Sequence, residues 1–511
     1  MNMRHLLCSL SVVSACMTLG AQEKSNPADV NNRTLERISA TNRIGSSVYQ
    51  YAAANTLFRF SDSFTELEAG MNLRNEEQAF LQAEGDGNRE GMFRVHSHIR
   101  LNRHSAAFAG ASYTNGKKNN VCWNSTSDYQ LLYPYIQADS IGGDLRHEAY
   151  RFYGGYCRSD GRFHYGILAD YRALHEYRQV DPRPRNITAD LSATLSGGYT
   201  LGTYVASLSA GIRIYKQAQD VAFYNENGAN TSELLMTGLG TFHTRYSGTS
   251  TTDNRYRGTG FQSAVTLLPR QGNGWYATLA YDRFSTDRKL ADFNMVTLTN
   301  LLTRQGIAEV AYRRKGKTFD WGIALKGNYE QRLGTESILG SSNNNDNLPL
   351  GEQTMYTSHV VCTRVEGVME WKRKNHSWTF QPAAGFFHRD EAYLFPEREM
   401  RYSLFHAGVS AAYTGICKDW LFKLSAGGSY EGNLSGTLNV TNGLTDQRIL
   451  GMLNYDYGQF TRNRTRIHAE ARIQKELSPT NALFVSAGYQ RRIDSGNYGA
   501  DYLHVSAGLC F

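Results

Sequence analysis

The stretch RVHSHIR places Arg94, His96, His98 and Arg100 at every second position. Two imidazoles at that spacing leave one face of a strand together, which suits an imidazole-bound metal. No acid and no third histidine stands nearby to complete the site, so a polar ladder is the favoured reading. Glu84 and Asp86 in AEGDG offer carboxylates to a hard cation, but the spacing of a calcium loop is absent and a Gly-rich hairpin turn fits better. Arg183 and Arg185 in VDPRPRN put two forked guanidinium groups in a Pro-stiffened loop. They suit carboxylates or phosphates, lipopolysaccharide included, or simply solvent.

Charge recurs at two- and four-residue spacing along the chain. Asp170 stands with Arg172, Glu309 with Arg313, Lys326 with Glu330, Arg364 with Glu366, Glu370 with Lys372 and Glu470 with Arg472, while Arg213 and Lys423 are single. If these faces look into a barrel, they form a charged lining that selects solutes. The alternative is a self-satisfied salt-bridge network that braces a wide barrel, and the residues alone leave both open. Ser and His are plentiful, yet no motif joins a nucleophile to a base. No enzyme, cofactor or metal is expected.

The elements that must carry these residues are strands. In DWGIALKGNYEQR, led by the turn KGKTF, Phe319, Trp321, Ile323, Leu325, Gly327 and Tyr329 share one face. Asp320, Lys326, Asn328 and Glu330 share the other. The apolar face begins and ends in aromatics, and its length matches the apolar band of an outer-membrane barrel rather than a soluble sandwich strand. Similar runs follow TLGT and CKD and precede SPTN. About eighteen are expected, near 61–74, 88–102, 105–116, 146–158, 161–176, 186–200, 203–217, 256–269, 274–287, 304–315, 318–332, 355–373, 377–391, 400–416, 419–432, 461–476, 481–493 and 500–511. Short turns alternate with long connections, the asymmetry of periplasmic turns and extracellular loops. The expected fold is all-β: a transmembrane antiparallel barrel of 16–20 strands.

Composition agrees. The chain has 48 Gly, 32 Tyr and 23 Phe against 9 Pro, and a mean hydropathy of −0.49. Past the N-terminus no apolar run is long enough for a spanning helix. A formal charge of +7 over 511 residues is too dilute to indicate nucleic acid binding. Residues 1–21 read as a secretory signal, with VSAC at Cys16 as a competing lipoprotein box. A periplasmic or lumenal segment, 22–60, precedes the barrel, 61–511. Cys122, Cys157, Cys362, Cys417 and Cys510 remain, with no metal spacing and no evident pairing.

The loop VCWNSTSDYQLLYPYIQ is too apolar for free solvation. Trp123, Tyr129, Leu131, Leu132, Tyr133 and Tyr135 either plug the barrel or meet a partner or sugar-like ligand. SSNNNDN at 341–347 reads as a polar loop tip.

The chain closes on YLHVSAGLCF, where Leu503, Val505, Ala507, Leu509 and Phe511 share one face. An open edge in lipid would leave backbone groups unsatisfied, so this strand must pair with the first. This ending, together with QAEGDGNREGMFRV, ASYTNGKKNNVCWNSTSDYQLLYPYIQADSIGGD and YRALHEYRQVDPRPRN, resembles an uncharacterised outer-membrane β-barrel family of Bacteroidota. The resemblance implies a multi-pass location in the outer membrane, contact with its lipid, and a terminal strand read by the barrel-assembly machinery. It brings no activity and no catalytic residues. The function expected is a porin-like or gated channel for small polar solutes. The alternative is a non-conducting accessory subunit of an outer-membrane uptake or surface complex.

Overall fold

Alternation along each strand decides the architecture, because a sheet with one apolar face in lipid must close on itself. In the computed structural model, which describes residues 29–224, 233–247, 253–340 and 349–511, eighteen antiparallel strands form a single ring. They run from Phe64–Glu76 to Gly499–Cys510, and each pairs with its sequence neighbour. The ring closes as expected, Leu67 facing Leu509, Ala69 facing Ala507, Met71 facing Val505 and Leu73 facing Leu503. Phe511 completes the seam: its N–H donates to the Thr65 carbonyl at 2.9 Å, and its carbonyl accepts from Thr65 at 2.5 Å. No helix among the described residues is long and apolar enough to cross a membrane; the strands make the crossing.

The outer face is apolar where the sequence alternates. Phe319, Trp321, Ile323, Leu325 and Tyr329 are each more than a third exposed, as is the equivalent face of most other strands. This belt faces lipid. The strands overrun the expected bounds mainly at their loop ends. The third reaches Val121 rather than 116, the seventh Ala222 rather than 217, and the twelfth begins at Pro349 rather than 355. Beyond the membrane both faces meet water, so the alternation fades while the backbone ladder continues.

Arg183 and Arg185 are a correction. They do not sit in a loop but open the strand Arg183–Leu201, whose pairing with the next strand begins at Arg183 and Ala222. The connection before them is only residues 178–182, and Pro184 is tolerated within the strand's first turns. AEGDG is not a tight hairpin turn but the end of a longer connection, residues 77–86, between the first two strands. Gly85 has φ +72°, and a Cβ there would fall on the Asn119 carbonyl oxygen. Residues 1–21, expected to be a secretory signal, and residues 341–347, expected to be a polar loop tip, lie outside the described residues. The five later cysteines are free.

Four parts of the chain enter the ring. From Asp29 to Ser63 the N-terminal segment forms short helices, beginning with Val30–Ile38, whose N-cap Asp29 accepts from the Asn31 N–H at 3.1 Å. At the other end, residues 122–142 fold inward with the short helix Tyr129–Leu132. They are joined by residues 233–247 and by the helix Gln447–Thr461.

Candidate functional site

The N-terminal segment follows the periplasmic end of the inner wall rather than crossing it as a block. Val30 packs on Ala482, Phe484 and Cys510. The hydroxyls of Ser39 and Thr41 donate to Glu370 at 2.9 and 3.0 Å. Val48 packs on Val205, Leu268, Tyr276 and Ala324, and Asn55 joins Ser207 and Thr266 at 2.7 and 2.9 Å. Leu57 reaches Ala106 and Cys157. These wall residues come from strands around most of the ring, so the segment is an arc whose polar groups are met by inward-facing wall side chains.

Many of the charges singled out in the sequence hold this arc. Arg472 and Arg37 both engage Glu66, the first at 3.2 Å. Lys423 donates to the Ile38 carbonyl at 3.2 Å, and Arg100 to that of Phe60 at 2.7 Å. Arg313 donates to the carbonyls of Gly272 and Thr41 at 2.9 and 3.5 Å and to the Tyr276 hydroxyl. His98 lies against the rings of Phe60 and Phe64, while His96 shares a hydrogen bond with the Tyr153 hydroxyl. The two histidines thus meet aromatic neighbours. Among the described residues no group of three or more His, Cys, Asp or Glu is placed to hold a metal.

Higher on the wall the charges pair with one another. Asp170 accepts from Arg151 at 2.6 Å, and Arg213 meets Asp190 at 2.7 Å. Glu366 takes both Lys326 and Arg364, at 2.8 and 2.7 Å, and Glu330 takes Arg332 at 2.8 Å. Arg94 stands 3.7 Å from Glu68. Glu309 is buried opposite Lys326 in the ladder, and Glu470 is exposed opposite Ser425. Arg183 leans on Asp181 at 2.6 Å and over the Tyr224 ring, whereas Arg185 is exposed on the outer face. Both therefore lie on the outer face, away from the aromatic loop.

The loop at 122–142 spans the barrel. Asp128 meets Arg172 on the fifth strand, and five residues later the Tyr133 hydroxyl donates to Glu391 at 2.5 Å, eight strands further round the ring. A buried loop must have its backbone satisfied, and wall side chains do this. Asn186 and Gln219 donate to the Ser125 carbonyl at 2.9 and 2.8 Å, Arg288 to that of Ile136 at 3.0 Å and Arg332 to that of Tyr133 at 3.0 Å. Trp123 packs with Tyr356, Tyr393, Met400 and Tyr402. Tyr135 is buried and stacks Arg288 over its ring at 6.0 Å, and the Tyr129 and Tyr133 rings lie 5.5 Å apart.

The strongest anchors escaped the sequence reading. Arg178 and Asp139 form a fully buried ion pair at 2.9 Å at the neck of the loop. Asp139 also accepts from the N–H groups of Ile141, at 3.0 Å, and Gly142. Asp128, Asp190, Arg389 and Glu391 were missed in the same way. Asp128 and Asp190 have partners far off in sequence, whereas Arg389 and Glu391 pair with each other two residues apart on one strand, at 2.8 Å, a spacing the sequence did offer. For Asp128 the signal available was a central Asp in an otherwise aromatic loop.

Inside the ring lie separate hollows. One of about 480 Å³, between the inward loop and the helix Gln447–Thr461, is lined by Phe80, Tyr129, Tyr402, Phe460, Arg389 and Asp456. Burial, reinforced by the charge of Glu391, pushes the Asp456 carboxyl up to about 7. Burial and the neighbouring Asp139 likewise raise Glu233, which accepts from the Ser125 hydroxyl at 3.0 Å. A second hollow of about 860 Å³ occupies the periplasmic mouth, with Arg43, Arg59, Arg94, Arg270 and Lys315 on its walls. Aromatic faces with donors and acceptors of both signs suit reversible contact with polar solutes.

A closed antiparallel wall with an apolar outer belt and a polar, ion-paired interior defines an outer-membrane β-barrel protein. By sequence the chain belongs to a family of unknown function (DUF6850), whose model matches residues 52–511. No curated protein matches it in sequence. Among solved structures it is similar to BauA, the ferric preacinetobactin receptor of Acinetobacter baumannii, with 9% identity and a TM-score of 0.39 over 88% of this chain and 80% of that one. It is likewise similar to the siderophore receptor PiuA of Acinetobacter baumannii, with 8% identity and a TM-score of 0.40 over 88% and 82%. The ferric enterobactin receptor PfeA of Pseudomonas aeruginosa gives 8% identity and 0.37 over 88% and 80%. Likenesses at these scores assign neither ligand nor activity.

Proposed function

We propose that this protein is a gated, porin-like channel for small polar solutes, with the inward loop and the N-terminal arc as its two constrictions. The observation that carries the reading is the way the loop is held. Arg172, Asn186, Gln219, Arg288 and Arg332 reach it from the wall through hydrogen bonds and ion pairs, which water or a polar solute can replace. Ion-paired side chains above the arc supply the mixed-charge path. No enzymatic step is proposed. Entry into the membrane runs through the terminal strand and the barrel-assembly machinery.

Conductance in planar bilayers tests the reading. Deleting residues 123–138 raises single-channel conductance over the wild type. In that deletion background K326E/R364E moves the reversal potential toward cation preference, because both side chains lie above the arc and share Glu366. Lys423 and Arg472 are poor probes, since they hold the N-terminal segment. If wild type and loop deletion are both silent, the channel reading fails.

A second reading, an accessory subunit of an outer-membrane uptake or surface complex, is favoured by the loop tips. Leu350 and Phe395 are 74% and 77% exposed at the extracellular end, apolar surface that a companion subunit would cover. A stoichiometric companion retained on purification from native membranes supports it.

A further inference from the structure

Two pairs of like charges stand side by side on the outer wall. Arg283 faces Arg304 across one strand boundary, and Lys216 faces Arg257 across another. All four are exposed. Among the described residues none of them is in an ion pair, although Asp287 stands directly opposite Arg257 in the ladder, and the acids nearby have other partners. Asp220 holds Arg255 at 2.7 Å. Asp287 holds Lys289 at 3.8 Å and accepts from Asn300 at 2.7 Å.

Their place on the wall sets the environment. Arg283 follows Leu279 and Tyr281 on the same face toward the extracellular end, and Arg257 lies beyond Phe261. Those three neighbours are 65%, 43% and 48% exposed and belong to the lipid-facing belt. The cations therefore lie just past an aromatic girdle, where outer-leaflet headgroups begin. Directly opposed like charges destabilise a strand pair, and the cost grows beside hydrocarbon. An anion bridging Arg283 and Arg304, whose other cross-strand neighbours are Phe261 and Gln331 and not acids, removes it. Forked guanidinium groups fit phosphate oxygens bidentately. Arg257 pairs with Asp287, four residues beyond Arg283, so the two cationic pairs lie roughly 13 Å apart along the strand direction.

We propose that this stretch of outer wall binds the phosphorylated headgroup of an outer-leaflet glycolipid, with a phosphate held at Arg283 and Arg304. The site faces lipid and is independent of whether the lumen conducts.

The test uses the full-length barrel in detergent. Phosphorylated glycolipid, its dephosphorylated form and inorganic phosphate are each titrated while the midpoint of heat-modifiable gel migration is followed. The phosphorylated lipid is expected to raise the midpoint, and the other two are not. In native mass spectra R283Q/R304Q retains at least fivefold less phosphorylated glycolipid than wild type, while K418Q, in a periplasmic turn, retains the wild-type amount. Equal stabilisation by the dephosphorylated lipid overturns the proposal, as does inorganic phosphate acting as well as the lipid. Undiminished retention by a folded R283Q/R304Q overturns it too. The comparison of lipids needs only wild-type protein, so a variant that fails to assemble leaves the test intact.

Discussion

The Arg172 guanidinium grips both carboxylate oxygens of Asp128, at 2.8 and 2.6 Å, and ties the inward loop to the barrel wall. Asp128 sits in the left-handed region at φ 55°, a conformation Asp tolerates better than most residues. Its carboxylate also accepts from the Tyr215 hydroxyl at 2.9 Å. The partners are only partly buried, so the pair contributes about 1–2 kcal/mol. Asp128→Asn is expected to speed proteolysis within residues 122–142 by about tenfold while heat-modifiable migration stays normal. An unchanged cleavage rate would remove Asp128 as a latch.

Arg178 and Asp139 are a stronger case. Both side chains are fully buried, and Arg178 also donates to the carbonyls of Val121 and Asn124 at 3.4 and 3.5 Å. Removing one partner leaves the other charged and uncompensated, a cost of about 3–5 kcal/mol. Arg178→Met should abolish hydrogen-exchange protection at the loop neck, around residues 123–139, with the strand ladder still protected. The double variant R178M/D139L is expected to recover only part of the loss, because the uncompensated charge is gone but the backbone groups that Arg178 and Asp139 met lose their partners.

Asp456 makes the extracellular helix pH-sensitive. Its carboxyl is raised to about 7 in the folded protein, against about 3.9 when unfolded. The folded state therefore holds the extra proton, and the stability tied to that proton is complete below about pH 4 and lost as pH rises through 7. Exchange in Gln447–Thr461, corrected for its intrinsic pH dependence, should quicken as pH rises from about 4 to 7 and level off above that. Asp456→Asn should flatten that response and leave the helix more protected at pH 8. A wild-type profile flat over this range contradicts the assignment.

The seam gives a prediction about assembly. Leu509 faces Leu67 in the closing ladder, and Phe511 exchanges two backbone hydrogen bonds with Thr65. Deleting Phe511 removes both bonds at the periplasmic edge, and Leu509→Asp puts a charge on the lipid face at a cost of about 1–3 kcal/mol. Both variants should reach the periplasm yet show several-fold less heat-modifiable barrel in the outer membrane. Wild-type levels of inserted Phe511-deleted protein would falsify the assigned role of the seam.

The barrel itself was legible in the sequence because lipid and water impose opposite demands on alternate residues. That period of two fixes the faces from Phe319 to Tyr329 and from Leu503 to Phe511 without knowledge of any partner strand. It also sets which charges turn inward, since Lys326, Arg364 and Arg472 could not stay on the apolar face. It faded at Lys117–Val121 and Pro349–Met355, where both faces are wet and only backbone pairing extends the strand.

Tertiary structure alone decided what those inward charges do. Arg472 and Lys423 read in sequence like Lys326 and Arg364, yet the first two hold the N-terminal arc and the second two share Glu366. The N-terminal helices and the inward loop carry no period that names their contacts. Asp139 finds Arg178 thirty-nine residues away, and Tyr133 finds Glu391 two hundred and fifty-eight away. Alternation is a local consequence of strand geometry and solvent, whereas these pairings exist only after the ring has closed and brought distant strands around one interior.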